Sequence, residues 1–308
     1  MELVASGSVT APSPEPSRAP QARALWWLTA AFGMAVTAAY LFYVRTGVGQ
    51  RLDDAGFRVR DGVRPDLITD AESLLGGIEV TALAIALVVV AAGALWRGRA
   101  ALAAAVVGLV VGSNLTTQFL KLVVFERPHL IPDAYRLPNS FPSGHATAVA
   151  SLGIALILVV PRRMRPAVAV IAATAGIAVG LATIAVGWHR PGDVIGSWLV
   201  VGFWTALTAA VVVARDTSRR PPSPGSGSLE NSLWMLTAIA VMAFVIATVA
   251  WVGLYWADDG DSAVQATRHG LALVSGAAGM VGTALVVGAA ITSGARRFTL
   301  APEWLSRR

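Results

Sequence analysis

Residues 139–160 read NSFPSGHATAVASLGIALILVV. The turn Pro142-Ser143-Gly144-His145 runs directly into an apolar stretch that starts at residue 146. A run with no charge over such a length belongs in a bilayer, where a full span takes about 20 residues. The pattern recurs on both sides. Eight apolar stretches, at approximately 25–44, 79–96, 101–122, 146–160, 166–186, 194–214, 233–256 and 270–292, are candidates for crossing. The shorter ones lie near the lower limit. The chain is therefore expected to be an all-α, polytopic membrane helical bundle: a six-span core followed by a two-span C-terminal hairpin.

Composition agrees. Of 308 residues, 55% are hydrophobic and only 14% are charged, with mean hydropathy +0.64; a soluble domain carries about 25% charged residues. The first stretch is taken as a retained span, because it follows a 24-residue Pro/Ser-rich tail and lacks a small-residue cleavage pattern. No cysteine is present, which excludes disulfides, zinc-thiolate sites and thiol catalysis.

The net charge of +6 would suit a nucleic-acid surface if it were clustered on one face. It is not. With the amino terminus inside and the spans alternating, the inner segments hold 14 of 24 basic residues and 5 of 18 acidic ones, a net +9, against −3 outside. That is the positive-inside bias of a cell-membrane protein with both termini cytoplasmic. Trp26, Trp27, Trp96, Trp188, Trp234 and Trp256 fall near span ends, as in interfacial belts.

Residues 1–23 read as a disordered cytoplasmic tail, 24–215 as the six-span core, 216–232 (DTSRRPPSPGSGSLENS) as a flexible cytoplasmic linker, 233–295 as the hairpin and 296–308 as a cytoplasmic tail. Residues 45–78 read as a long outer loop of mixed charge, with room for a short interfacial helix. The pairs Gly108/Gly112 and Gly176/Gly180 have the spacing of close helix packing. The acidic cluster Asp258, Asp259 and Asp261 reads as a solvated outer loop.

Alternation of spans gathers the chemistry on the outer face. Lys121 and Arg127 end span three, Ser143, Gly144 and His145 begin span four, and His189 and Asp193 lie between spans five and six. Lys121 and Arg127 suit a phosphate dianion, Arg gripping two oxygens at once. Ser143 and Gly144 stand where a helix begins, with free backbone N–H groups and the positive dipole end. One histidine can attack phosphorus and the other can protonate the leaving oxygen. Asp193, four residues after His189, can hold one ring proton. His129 and His269 read as ordinary structural or loop residues.

The segments KLVVFERP (121–128), FPSGH (141–145) and ATIAVGWHRPGD (182–193) resemble the three motifs of the type 2 phosphatidic acid phosphatase superfamily: Lys-x6-Arg-Pro, Pro-Ser-Gly-His and Ser-Arg-x5-His-x3-Asp. The resemblance covers about residues 79–215, and NSFPSGH and GWHRPxD resemble an actinobacterial branch. It implies His189 as nucleophile, Asp193 as its orienting partner and His145 as general acid. It further implies that Lys121, Arg127, Ser143 and Gly144 bind phosphate, with no metal and no other cofactor.

Two departures stand out. Lys121 and Arg127 are six apart instead of seven, so the helix must unwind before Arg127, which Pro128 favours. The Ser-Arg pair is Ala182-Thr183, so one phosphate-gripping arginine is missing; Arg190 and Arg136 are the candidate substitutes. The leading expectation is a membrane lipid phosphatase acting on phosphatidate, phosphatidylglycerophosphate or a polyprenyl diphosphate. The alternatives are a phosphotransferase or soluble-phosphoester phosphatase on the same scaffold, and a lipid-phosphate-binding or transport-related protein with weakened turnover. Expected partners are the lipid substrate and the bilayer, with no nucleic acid; the sequence leaves the oligomeric state open.

Overall fold

A computed structural model of the protein describes residues 19–215 apart from 133, 136 and 137. The start of the expected tail, the linker 216–232, the hairpin 233–295, the last tail, the cluster at 258–261, His269, Trp234, Trp256 and Arg136 lie outside the described residues.

The described residues form helices joined by turns and one longer irregular segment at 125–143, without strands. α1 (Ala19–Ala39) continues into a π-turn at Tyr40–Val44. α2 (Gly47–Phe57) and α3 (Pro65–Gly76) follow, joined by a 3₁₀ turn, and then α4 (Val80–Trp96). α5 (Ala100–Phe119) also ends in a π-turn, Leu120–Val124. α6 (Gly144–Val159), α7 (Arg165–Ala185) and α8 (Pro191–Arg215) complete the bundle.

Every apolar stretch expected in the core is a helix, but they differ in reach. Leu25–Val44, Ala100–Val124, Ala167–Ala185 and Pro191–Val212 are long and apolar enough to cross a bilayer. α6 has 16 residues, roughly 24 Å at the helical rise against a hydrocarbon core of about 30 Å. α4 has 17 and meets α3 at a 54° bend. The described residues thus form an integral-membrane helical bundle with four full-length apolar helices and two shorter ones.

α6 and α8 form its centre: α6 packs on α4, α5, α7 and α8, and α8 on α1, α5 and α6. Their buried faces carry Ala146, Ala150, Ile154, Val194, Trp198 and Val201. The outer faces are apolar too. Val80, Ile85, Val88 and Val89 of α4, Leu115 and Phe119 of α5, and Val170 and Ile171 of α7 are exposed, the surface a lipid-facing bundle requires.

Two of the paired glycines admit tryptophans of α8. A Cβ on Gly112 would sit 2.5 Å from the Trp204 ring, and one on Gly176 would strike Trp198. Among the described residues nothing approaches Gly108 within 4 Å of a Cβ built there. Trp26, Trp27, Trp96 and Trp188 are exposed.

The segment 45–78 departs from the expected loop, being mostly helix. Thr46 caps α2 by accepting from the Gly49 N–H at 3.0 Å, and Pro65 occupies the first turn of α3, where its missing donor costs nothing. Ala71 and Leu75 of α3 pack against Val179, Ala182 and Val186 of α7. α2 buries Gln50, Asp53 and Asp54, which brings it into the site described next.

Candidate active site

The turn between α7 and α8 is closed by backbone bonds. The N–H groups of Trp188 and His189 both donate to Thr183 O, at 2.9 and 3.1 Å. Gly187 sits at φ +77°, a left-handed conformation that a side chain disfavours, and a Cβ there would run into the Arg60 guanidinium. Pro191 then opens α8.

This geometry sets His189 Nδ1 3.3 Å from Asp193 Oδ2. The same oxygen accepts from Ser140 Oγ at 2.6 Å and from the Arg190 N–H at 2.9 Å. Asp193 is fully buried in the first turn of α8, where the helix dipole favours a carboxylate. With its proton on Nδ1 and turned to Asp193, His189 carries its lone pair on Nε2.

The start of α6 is tied to the start of α8. Ser143 N–H donates to Asp193 O at 3.0 Å, and Ser197 Oγ lies 2.7 Å from Ser143 O and 2.8 Å from Asp193 O. Ser143 is the N-cap of α6, its Oγ accepting from the Ala146 N–H at 3.4 Å. His145, half-buried, has its ring centroid 5.4 Å from that of Trp188 and lies within electrostatic reach of His189 and Lys121. A Cβ on Gly144 would meet Gln118 Nε2 at 3.1 Å.

α5 delivers Lys121 from its terminal π-turn, within electrostatic reach of Asp193. The unwinding that the short spacing demands is present: the helix ends at Val124 and Phe125 is extended, φ −99° and ψ 129°. The freed carbonyls are covered by Asn139, whose amide donates to Lys121 O at 3.1 Å and Phe125 O at 2.9 Å. Tyr40 stacks on Phe125 with ring centroids 3.9 Å apart and donates to Glu126 O at 2.9 Å. Arg127, buried, pairs through Nη2 with Asp53 Oδ2 at 3.2 Å.

Thr183, at the position of the missing arginine, is buried and donates to Gly180 O at 2.7 Å; it offers the site no donor. The Arg190 guanidinium lies beside Arg127, not beside His145: Nη2 donates to Tyr135 O at 2.9 Å and its carbon sits 5.4 Å from the Phe57 ring centroid. Burial, then the nearby Arg127 charge, lowers its pKa. Among the described residues, Nε and Nη1 of Arg190 and Nη1 of Arg127 have no hydrogen-bond partner, and both side chains line a small cavity with Gln50, Asp54 and Tyr135. His129 is exposed on the same loop.

Asp53 was not singled out as a site residue in the sequence. Its Oδ1 accepts from the Gly192 N–H at 2.7 Å, beside Asp193. Burial pushes its carboxyl up from 3.8 to about 6, against the pull of Arg127. Ser140 and Asn139 were also missed, although they adjoin the FPSGH segment.

The PAP2 superfamily model matches residues 100–217. Two curated proteins described as lipid A 1-phosphatases, from Rhizobium johnstonii and Rhizobium etli, are each 43% identical over 77 residues, 25% of this chain. The match spans 29% and 31% of the length of those relatives. A solved structure of a transmembrane PAP2-type phosphatidylglycerolphosphate phosphatase from Bacillus subtilis aligns with 64% of this chain and 98% of its own, at 19% identity and TM-score 0.49. The family match encloses Lys121, Arg127, the Pro142–His145 turn and the His189–Asp193 pair, and the chain therefore carries a PAP2 superfamily domain over residues 100–217.

Proposed function

We propose that the protein is a membrane lipid phosphatase that hydrolyses a lipid phosphate or diphosphate through a phosphohistidine intermediate at the outer membrane face, with both termini inside. The observation that carries the reading is the buried Asp193 carboxylate on His189 Nδ1, within reach of His145 at the start of α6 and of Lys121 at the end of α5. In the first step His189 Nε2 attacks phosphorus in line with the ester oxygen. The P–O bond breaks, and protonated His145 gives its proton to the departing oxygen. In the second step neutral His145 takes a proton from water, which attacks the phosphohistidine and frees inorganic phosphate and His189. Lys121, Arg127 and the Ser143–Gly144 helix start hold the phosphoryl oxygens, and Arg190 adds a guanidinium beside Arg127. No step uses a metal ion. Phosphatidate, phosphatidylglycerophosphate and polyprenyl diphosphates are the substrates to test, and the lipid A 1-phosphatase relatives add glycolipid phosphates.

The test is phosphate release by the purified, detergent-solubilised full chain, in EDTA, against these lipids. Release that disappears in His189→Ala supports the reading. A folded wild-type protein that releases none from any of them refutes it. Thr183 favours one other reading, a lipid-phosphate-binding protein with weakened turnover, because its hydroxyl is spent within α7. On that reading lipid phosphate binds, but release is absent in wild type and His189→Ala alike.

A further inference from the structure

Arg127 leaves α5 on an extended segment, one residue nearer Lys121 than the family spacing, so the helix does not aim it. What does aim it is a carboxylate more than seventy residues upstream. Asp53 spends one oxygen on Arg127 Nη2 at 3.2 Å and the other on the Gly192 N–H at 2.7 Å. An ion pair built for grip alone would engage the arginine fork with both oxygens. Here the second oxygen goes to the turn that carries His189 and Asp193, and Arg127 Nη1 has no hydrogen-bond partner among the described residues. α2 is itself pinned to the Arg127 segment. Gln50 Nε2 donates to Pro128 O at 2.6 Å, Gln50 Oε1 accepts from the Leu130 N–H at 3.3 Å, and Asp54 Oδ1 accepts from the Tyr135 N–H at 3.2 Å.

We propose that Asp53 is a positioning residue for phosphate binding: it fixes Arg127 against the start of α8 and leaves the rest of the guanidinium for the substrate's phosphoryl oxygens. Asp53 touches no substrate and acts through Arg127. The inference rests on the phosphatase reading above.

A double-mutant cycle with Asp53→Asn and Arg127→Gln tests it, using phosphate release and competitive inhibition by orthovanadate. Asn retains an oxygen for Gly192 and loses the charge that holds Arg127. Asp53→Asn is expected to lower kcat/KM by roughly 10- to 100-fold, the scale of a misplaced binding group. KM and kcat change in the same proportion as in Arg127→Gln, and vanadate inhibition weakens in step. The double variant is no worse than Arg127→Gln alone. Single losses that multiply in the double variant, or an Asp53→Asn protein that binds vanadate as wild type does, overturn the proposal. If Asp53→Asn does not fold, Asp53→Glu replaces it: the longer arm displaces Arg127 and weakens vanadate inhibition, and unchanged inhibition overturns the proposal. Wild-type protein that releases no phosphate refutes the phosphatase reading itself, whereas an additive cycle in an active enzyme removes the Asp53 proposal alone.

Discussion

Asp193→Asn separates the charge of the His189–Asp193 pair from its geometry. Asp193 Oδ2 accepts three hydrogen bonds, from Ser140 Oγ, the Arg190 N–H and His189, while Oδ1 has no partner among the described residues. Asparagine has the same shape but a single oxygen. The two fixed donors, Ser140 and the Arg190 backbone, select the orientation that puts this oxygen at the Oδ2 position and the NH₂ where Oδ1 was. His189 then still sees an acceptor and keeps its tautomer. What is lost is the negative charge that stabilises the ring as it becomes cationic on attack. A hydrogen bond to a charged group is worth about 1.5–3 kcal/mol against about 1 for a neutral one, and the lost Coulomb attraction adds to that difference. A total near 3 kcal/mol corresponds to a fall of about 10²-fold in kcat. An amide flipped the other way would impose the wrong tautomer and a loss nearer 10⁴-fold, as in the serine protease triad. Single-turnover phosphate release from detergent-solubilised protein measures the effect. Activity within about threefold of wild type, with the protein folded, would refute the charge-stabilising role of the Asp193 carboxylate.

Two further predictions follow from packing and charge. Gly176→Val inserts a side chain where a Cβ already strikes Trp198, and the overpacking lowers the thermal midpoint in detergent by an amount equivalent to about 1–3 kcal/mol; an unchanged midpoint contradicts the α7–α8 contact. Asp53 holds its proton more tightly folded than unfolded, at about 6 against 3.8, so its protonation stabilises the fold at acid pH and that contribution is lost as pH rises through 6. Relative to Asp53→Asn, wild type therefore gains stability between pH 7 and pH 4, by on the order of 3 kcal/mol, and parallel pH–midpoint curves for the two proteins would count against it.

The apolar helices were legible because hydrophobicity is a local property: the runs at 25–44, 101–122, 166–186 and 194–214 need no partner to be recognised. The His189–Asp193 spacing was legible for a similar reason, since four residues across a helix start fix the two side chains on one another. Asp53 was not, because its partners Arg127 and Gly192 lie 74 and 139 residues away and a buried carboxylate looks, in sequence, like any charge in a polar segment. The helical nature of 45–78 had local signals, Thr46 as a cap and Pro65 at a first turn, which the run of mixed charges obscured. Gly108 differs in the opposite way: its spacing suits close packing, yet among the described residues nothing approaches it.

The backbone link from Ser143 N–H to Asp193 O, reinforced by Ser197 between the two carbonyls, makes the starts of α6 and α8 a single mechanical part. The separation of His145 and His189 is set by main-chain atoms, which substitution of side chains elsewhere leaves in place. The 45–78 helices and the 126–140 loop can therefore change in sequence while the spacing of the two helix starts that carry His145 and Asp193 is kept.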